Sequence, residues 1–255
     1  MNLRFIPLVL FTAVAASQPL VETPRLGCIV TPEGRVREIL GLKAALIASE
    51  GTITGARDAV CGNRLSVLLL DHDIVATDEK GRELARVAVR ESNALLSVAP
   101  DGESAVAYLP ATGRWLGLRD GAWEDLPFWM EGEALAMAAG SGGVVAAVAR
   151  HEERLWLVSL DRATGMRTWE EPIESTATHA FVWPDGAVLL AAGKGMVFRQ
   201  RSGERRIIPI NGSVTRLAAM SERGVRVSAG EEGNEYGLVR EGGEVIVFAI
   251  PGGVK

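Results

Sequence analysis

Glycine recurs in this chain on a fixed period, and that period constrains the fold more than any other feature. Gly62, Gly102, Gly142, Gly186 and Gly224 each stand just before an apolar run, at spacings of 40, 40, 44 and 38 residues. A second series, Gly34, Gly81, Gly121, Gly165, Gly203 and Gly243, falls at spacings of 47, 40, 44, 38 and 40. Within each unit the two series are offset by 19, 19, 23, 17 and 19 residues, so two turn positions keep one period. Between the turns lie apolar segments of about five to eight residues, the ordinary length of a strand. In one unit these are "ALLSVA", "SAVAYL", "RWLGL" and "AWEDLPFW". Glycine and aspartate supply the tight-turn conformations that antiparallel hairpins need.

A four-strand unit of about 40 residues is the size of a propeller blade. One such sheet cannot bury both of its faces, so the units must stack radially. Five complete units run from about residue 57 to 250. Before them, "RLGCIVTPEGRVREIL" (26–40) matches only the second half of a unit. The expected fold is an all-β β-propeller of five full four-stranded blades plus an N-terminal hairpin. That half-blade either fills a sixth position or acts as a closure element, and an open sheet edge would mark the missing half. The stretch "GEALAMAAGSGGVVAAVARHEERLWLV" has helical propensity, but its central double glycine and its place in the repeat assign it to strands.

With 255 residues the chain can bury a sizeable core as one domain, residues 26–255. Its net charge of −5 and its lack of a basic block argue against nucleic-acid or anionic-membrane binding. Residues 1–16 have the form of a secretory signal peptide: Arg4, an apolar stretch from Phe5 to Ala16, then small residues, with Ala13-Val14-Ala15 or Val14-Ala15-Ala16 as the cleavage site. That stretch is too short to cross about 30 Å of hydrocarbon as a helix. Residues 17–25 form a short N-terminal segment, and no later apolar run is long enough to span a bilayer. The expectation is an exported protein, periplasmic or extracellular. Cys28 and Cys61 are then either two small apolar residues buried separately or a disulfide, which would contribute about 3 to 4 kcal/mol by loop closure. Their spacing has no metal-site pattern.

The phrase "SVAPDGESAVAYL", echoed by "FVWPDGAVLLAA", resembles the blade opening of bacterial WD-like and TolB-like propeller repeats. "LWLVSLDRATGMRTW" (155–169) is similar to a hairpin of quinoprotein propellers. In that family the tryptophan packs between blades, so the resemblance implies a structural Trp169. The tryptophan does not recur at that place in the other units, and no quinone pocket matches, so no cofactor is expected. "PRLGCIVTPEGRVREILGLKAA" is similar to the start of uncharacterised exported bacterial propeller proteins.

No nucleophile elbow, phosphate loop, dinucleotide fingerprint or zinc-protease helix motif occurs. "HEERL" (151–155) and "DHDIVATDEKG" (71–81) are expected to be solvated turns, and the sequon Asn211-Gly212-Ser213 another turn. The second-to-third strand loops and the inter-blade links of a propeller emerge on one face. All three histidines, His72, His151 and His179, fall on that face with Asp71, Asp73, Glu152 and Glu153, as do "GKG" (193–195) and "EEGN" (231–234). Imidazole beside carboxylate is an acid–base or metal-ligand pair. It is also what a polar recognition face contains, since binding concentrates on loops held by a rigid scaffold. The six tryptophans, at 115, 123, 129, 156, 169 and 183, are assigned to the inter-blade core. The leading functional expectation is a non-catalytic platform for a protein or carbohydrate partner. The alternative is a hydrolase or lactonase-like enzyme built from the histidines and acids.

Overall fold

The computed structural model describes residues 25–250 apart from 43–44, 49–52, 174–175, 193–194, 231–233 and 242. The signal-peptide reading of residues 1–16 and most of the segment 17–25 therefore lie outside the described residues, as do parts of the 193–195 and 231–234 loops. The described residues contain strands and turns and no helix.

The first sheet holds β1 (Arg25–Val30), β2 (Val36–Leu42) and β3 (Ala45–Ala48). Blade one follows with β4 (Asp58–Cys61), β5 (Leu65–Leu69), β6 (Asp73–Asp78) and β7 (Glu83–Ala88). Blade two holds β8 (Leu95–Val98), β9 (Ala105–Leu109), β10 (Arg114–Arg119) and β11 (Ala122–Asp125). Blade three has β12 (Glu133–Ala139), β13 (Val144–His151), β14 (Arg154–Asp161) and β15 (Arg167–Ile173). Blade four has β16 (His179–Val182), β17 (Val188–Ala192), β18 (Gly195–Arg199) and β19 (Arg205–Pro209). Blade five ends the chain with β20 (Val214–Ala219), β21 (Gly224–Ala229), β22 (Asn234–Glu241) and β23 (Glu244–Ala249). Every sheet is a meander in which sequence neighbours pair. The Ala-rich segment is β12 to β14, as its place in the repeat predicts.

The architecture is a β-propeller with six radial positions. Hydrophobic clusters fill the seams between successive blades one to five. Two further clusters pack the N-terminal sheet against blade one and against blade five, which closes the ring. All six glycines of the second turn series have positive φ, so the periodic glycines mark turns that side chains disfavour. In the first series Gly62 and Gly224 do not, and there glycine leaves room for close packing instead.

The N-terminal element fills the sixth position, as one of the two expected alternatives had it, and among the described residues it adds a third strand to the expected hairpin. Cys28 of β1 is bonded to Cys61 at the end of β4, while Arg25 Nη1 donates to Gly62 O at 2.8 Å, so β1 runs antiparallel to β4. In the other blades that is the direction of the second strand. Among the described residues, no strand pairs with the inner edge of β1 in the sixth position. The disulfide also settles the alternatives for the two cysteines, which are both bonded and buried.

Candidate functional site

The inner edge of β1 is not left bare. Ser221 Oγ donates to Leu26 O at 3.0 Å, the Cys28 N–H donates to Met220 O at 3.1 Å, and Arg226 Nη1 donates to Val30 O at 3.3 Å. Met220 O also accepts the Cys61 N–H at 3.0 Å, joining blade five, the N-terminal sheet and blade one at one end of the seam. Gly27 permits that approach, since a Cβ there would lie 2.6 Å from Met220 O. The open inner edge expected at the missing half-blade is capped instead by groups of blade five.

At the opposite end, on the face that carries the β5–β6 turn and the inter-blade links, the seam opens. A cleft of about 690 Å³ lies between the end of β1, the start of β4 and strands β20 to β22. Five charged residues line it: Arg57, which is paired with Asp71, and Asp58, Arg216, Arg226 and Glu235. Asp58 Oδ2 accepts from Arg216 Nη2 at 3.2 Å, which ties the first strand of blade one to the first strand of blade five. Arg226 lies 3.5 Å from Glu235, whose other carboxylate oxygen accepts from Ser228 Oγ at 2.7 Å. Thr31, Ser92 and Asn93 add neutral polar groups to the wall, and Ile29, Val30 and Leu69 add apolar ones.

Two of these charges, Arg226 and Glu235, sit where the other blades have apolar residues, Glu235 in the place of Ile74, Trp115, Leu157 and Met196. Arg226 pairs with Ala218, and the corresponding positions of the other blades hold Val67, Val106, Ala146 and Leu189. Burial pushes the Asp58 carboxyl above its ordinary pKa, against the pull of Arg216 and Arg226. Burial likewise pulls the Arg226 guanidinium below its ordinary value, with Glu235 opposing. In both cases desolvation outweighs the partner, so the ionised forms cost stability. Buried groups shifted in this way within a cleft are a physical indicator of a functional site.

The residues expected from the sequence lie on this same face, each engaged within its own blade. Asp71 accepts from Arg57 Nε at 2.6 Å, and Asp73 accepts from Arg86 Nη1 at 2.6 Å. His72 lies on the β5–β6 turn of blade one and gives its carbonyl to the Val89 N–H. His151 ends β13 in blade three, with Glu131 and Glu152 each 3.8 Å from its Nε2. His179 begins β16 in blade four, with Nδ1 3.0 Å from Thr178 Oγ1. Among the described residues no hydrogen bond or ion pair joins one histidine to another, and no group of three His, Cys, Asp or Glu could hold a metal ion. Glu152 and Glu153 form the two-residue β13–β14 turn at φ of 47° and 63°.

Asp58, Arg216, Arg226 and Glu235 were not among those expected residues. The available clue was Arg226, a charge inside "GVRVSA" where every other unit is apolar. Of the tryptophans, Trp115 and Trp183 are fully buried, and Trp123, Trp156 and Trp169 pack against seam clusters. Trp169 carries the Arg201 guanidinium 5.3 Å from its ring, in keeping with the packing role that the quinoprotein resemblance implies. Trp129 departs from that assignment: it is 68% exposed.

No helix among the described residues is long and apolar enough to cross a membrane. The sequence matches no protein-family model and no curated protein. Similar solved structures include U3-55K, at 11% identity and TM-score 0.48 over 73% of this chain and 66% of that one. The chain thus spans just under two thirds of U3-55K. Kuenenia stuttgartiensis hydrazine synthase matches at 12% identity and TM-score 0.47, covering 88% of this chain and 79% of that one. A chain of the mitotic checkpoint complex matches at 13% identity and TM-score 0.49, covering 87% and 75%. At these values the assignment of the fold rests on this chain's own strand order and closed ring of seams.

Proposed function

We propose that this protein is an exported, non-catalytic propeller that binds a partner on its loop face, with the seam cleft as the principal site. One observation carries the reading: a large cleft at the seam of the three-stranded sheet, lined by charged side chains of both signs, of which Arg226 and Glu235 stand where the other blades have apolar residues. Two pairs of opposite charge suit recognition of a polar partner surface through directed hydrogen bonds, and such groups gain most when a partner excludes water from them. Export is supported by the signal-like residues 1–16 and by a disulfide of the kind that persists in oxidising compartments. Cell fractionation and the mass of the mature N-terminus test that part: a cytosolic, unprocessed chain would contradict it.

The binding part is tested with immobilised mature protein in three forms: wild type, Asp58→Asn/Arg216→Ala, and Glu103→Ala on the opposite face. A partner retained by wild type and by Glu103→Ala, but reduced at least tenfold by the double variant, is the expected result. That factor corresponds to loss of one charge pair that the bound partner would cover. Equal retention by all three forms would sink the cleft as the site.

A further inference from the structure

Trp129 sits in the 126–132 link between blades two and three, on the loop face. The link is pinned on both sides of the indole. Leu126 N–H donates to Trp115 O at 2.9 Å, and Phe128 is buried in the seam between blades two and three. Gly132, at φ of 83°, lies so close over β13 that a Cβ there would fall 2.0 Å from Arg150 O. The indole is therefore held out into solvent by a fixed backbone, and ordering it on binding costs little.

Carboxylates follow it along the link and on the turn that the link adjoins. Glu131 is two residues along the link and contacts His151, the Glu152–Glu153 turn follows directly, and Glu133 begins β12. Arg150 is turned to Thr178 O at 3.3 Å, and Arg154 opens β14. Four glutamates against these two arginines leave the patch acidic. An exposed indole on an acidic stretch, in which Glu131 and Glu152 share only His151 as a partner, attracts a cation from two directions, through the ring quadrupole and through charge.

We infer that this patch docks a cationic segment of a partner polypeptide, with an arginine or lysine side chain lying on Trp129 and its charge directed to Glu131, Glu152 and Glu153. The inference rests on the scaffold reading of the loop face, but it uses residues separate from the seam cleft. A rigid, exposed tryptophan is the residue type that most often anchors an interface.

Isothermal titration of the mature protein with hexa-arginine and with hexa-glutamate peptides tests it. Hexa-arginine should bind and hexa-glutamate should not. Trp129→Ala should weaken hexa-arginine binding about three- to fivefold, the size of an exposed cation–ring contact. Glu152→Gln/Glu153→Gln should weaken it and flatten its salt dependence. Trp129 is exposed, so the Ala variant should keep the wild-type circular dichroism and melting temperature. Absence of hexa-arginine binding, or binding that both variants leave unchanged, would overturn the inference. If the seam variants abolish partner retention while Trp129→Ala leaves it intact and hexa-arginine fails to bind, the scaffold reading stands and this one falls.

Discussion

Glu152 and Glu153 occupy a turn in which both residues need positive φ, a position that usually goes to Asn-Gly. Each costs about 1 kcal/mol or more of local strain. Replacing the pair with Asn-Gly should therefore raise stability by about 1 to 2 kcal/mol in chemical denaturation, while weakening any contact that needs the two carboxylates. Asp58 makes a similar point by titration. Its folded pKa is raised by burial above its unfolded value, so the folded protein holds that proton more tightly. The ionised form therefore penalises folding at neutral pH, and the penalty fades as pH falls through the raised value towards the ordinary carboxylate range. Asp58→Asn should be neutral or stabilising at pH 7, with the difference from wild type shrinking as pH approaches 4. A large loss of stability at pH 7, measured by urea unfolding across that range, would show that the ion pair with Arg216 outweighs desolvation.

Among the elements, the N-terminal sheet is the one held least by its own ladder, since its inner edge is served by Ser221, Met220 and Arg226 rather than by a strand. The disulfide supplies what an inner strand would. Reduction, or Cys28→Ser/Cys61→Ser, should cost about 3 to 4 kcal/mol. Amide exchange should then rise first in β1 to β3 and last in blades two to four. Gly27→Ala forces a Cβ onto Met220 O and should loosen the same sheet with the disulfide intact. This element was also the hardest to foresee. Strands in the five full blades announce themselves by apolar runs between periodic turns. β3 is a four-residue strand with Ile47 exposed, and it has no turn glycine of either series to mark it. Which groups serve the inner edge of β1 is a fact about partners, and a period along the chain cannot express it.

At the scale of the molecule, the period in the sequence carried the ring, because each blade buries its faces only against its neighbours and so must repeat what they present. The same repetition explains why the cleft was hard to see. Asp58 heads β4 and Arg216 is the third residue of β20, 158 residues away, and nothing local links them. They meet only because the ring closes there on a three-stranded sheet. The histidines were legible as residents of one face, since strand parity fixes which loops share a face, but parity says nothing of distance around the rim. The loop face thus holds the irregular seam, the buried charges and an exposed indole, whereas the opposite end of that seam is tied shut at Met220.

Hydrogen–deuterium exchange of the mature protein with and without its captured partner tests the central claim most directly. The account predicts protection confined to the loop face, strongest over residues 29–32, 92–93, 214–217 and 226–229. Protection centred on the opposite face, at the turns bearing Gly102, Gly121, Gly165 and Gly186, would contradict it.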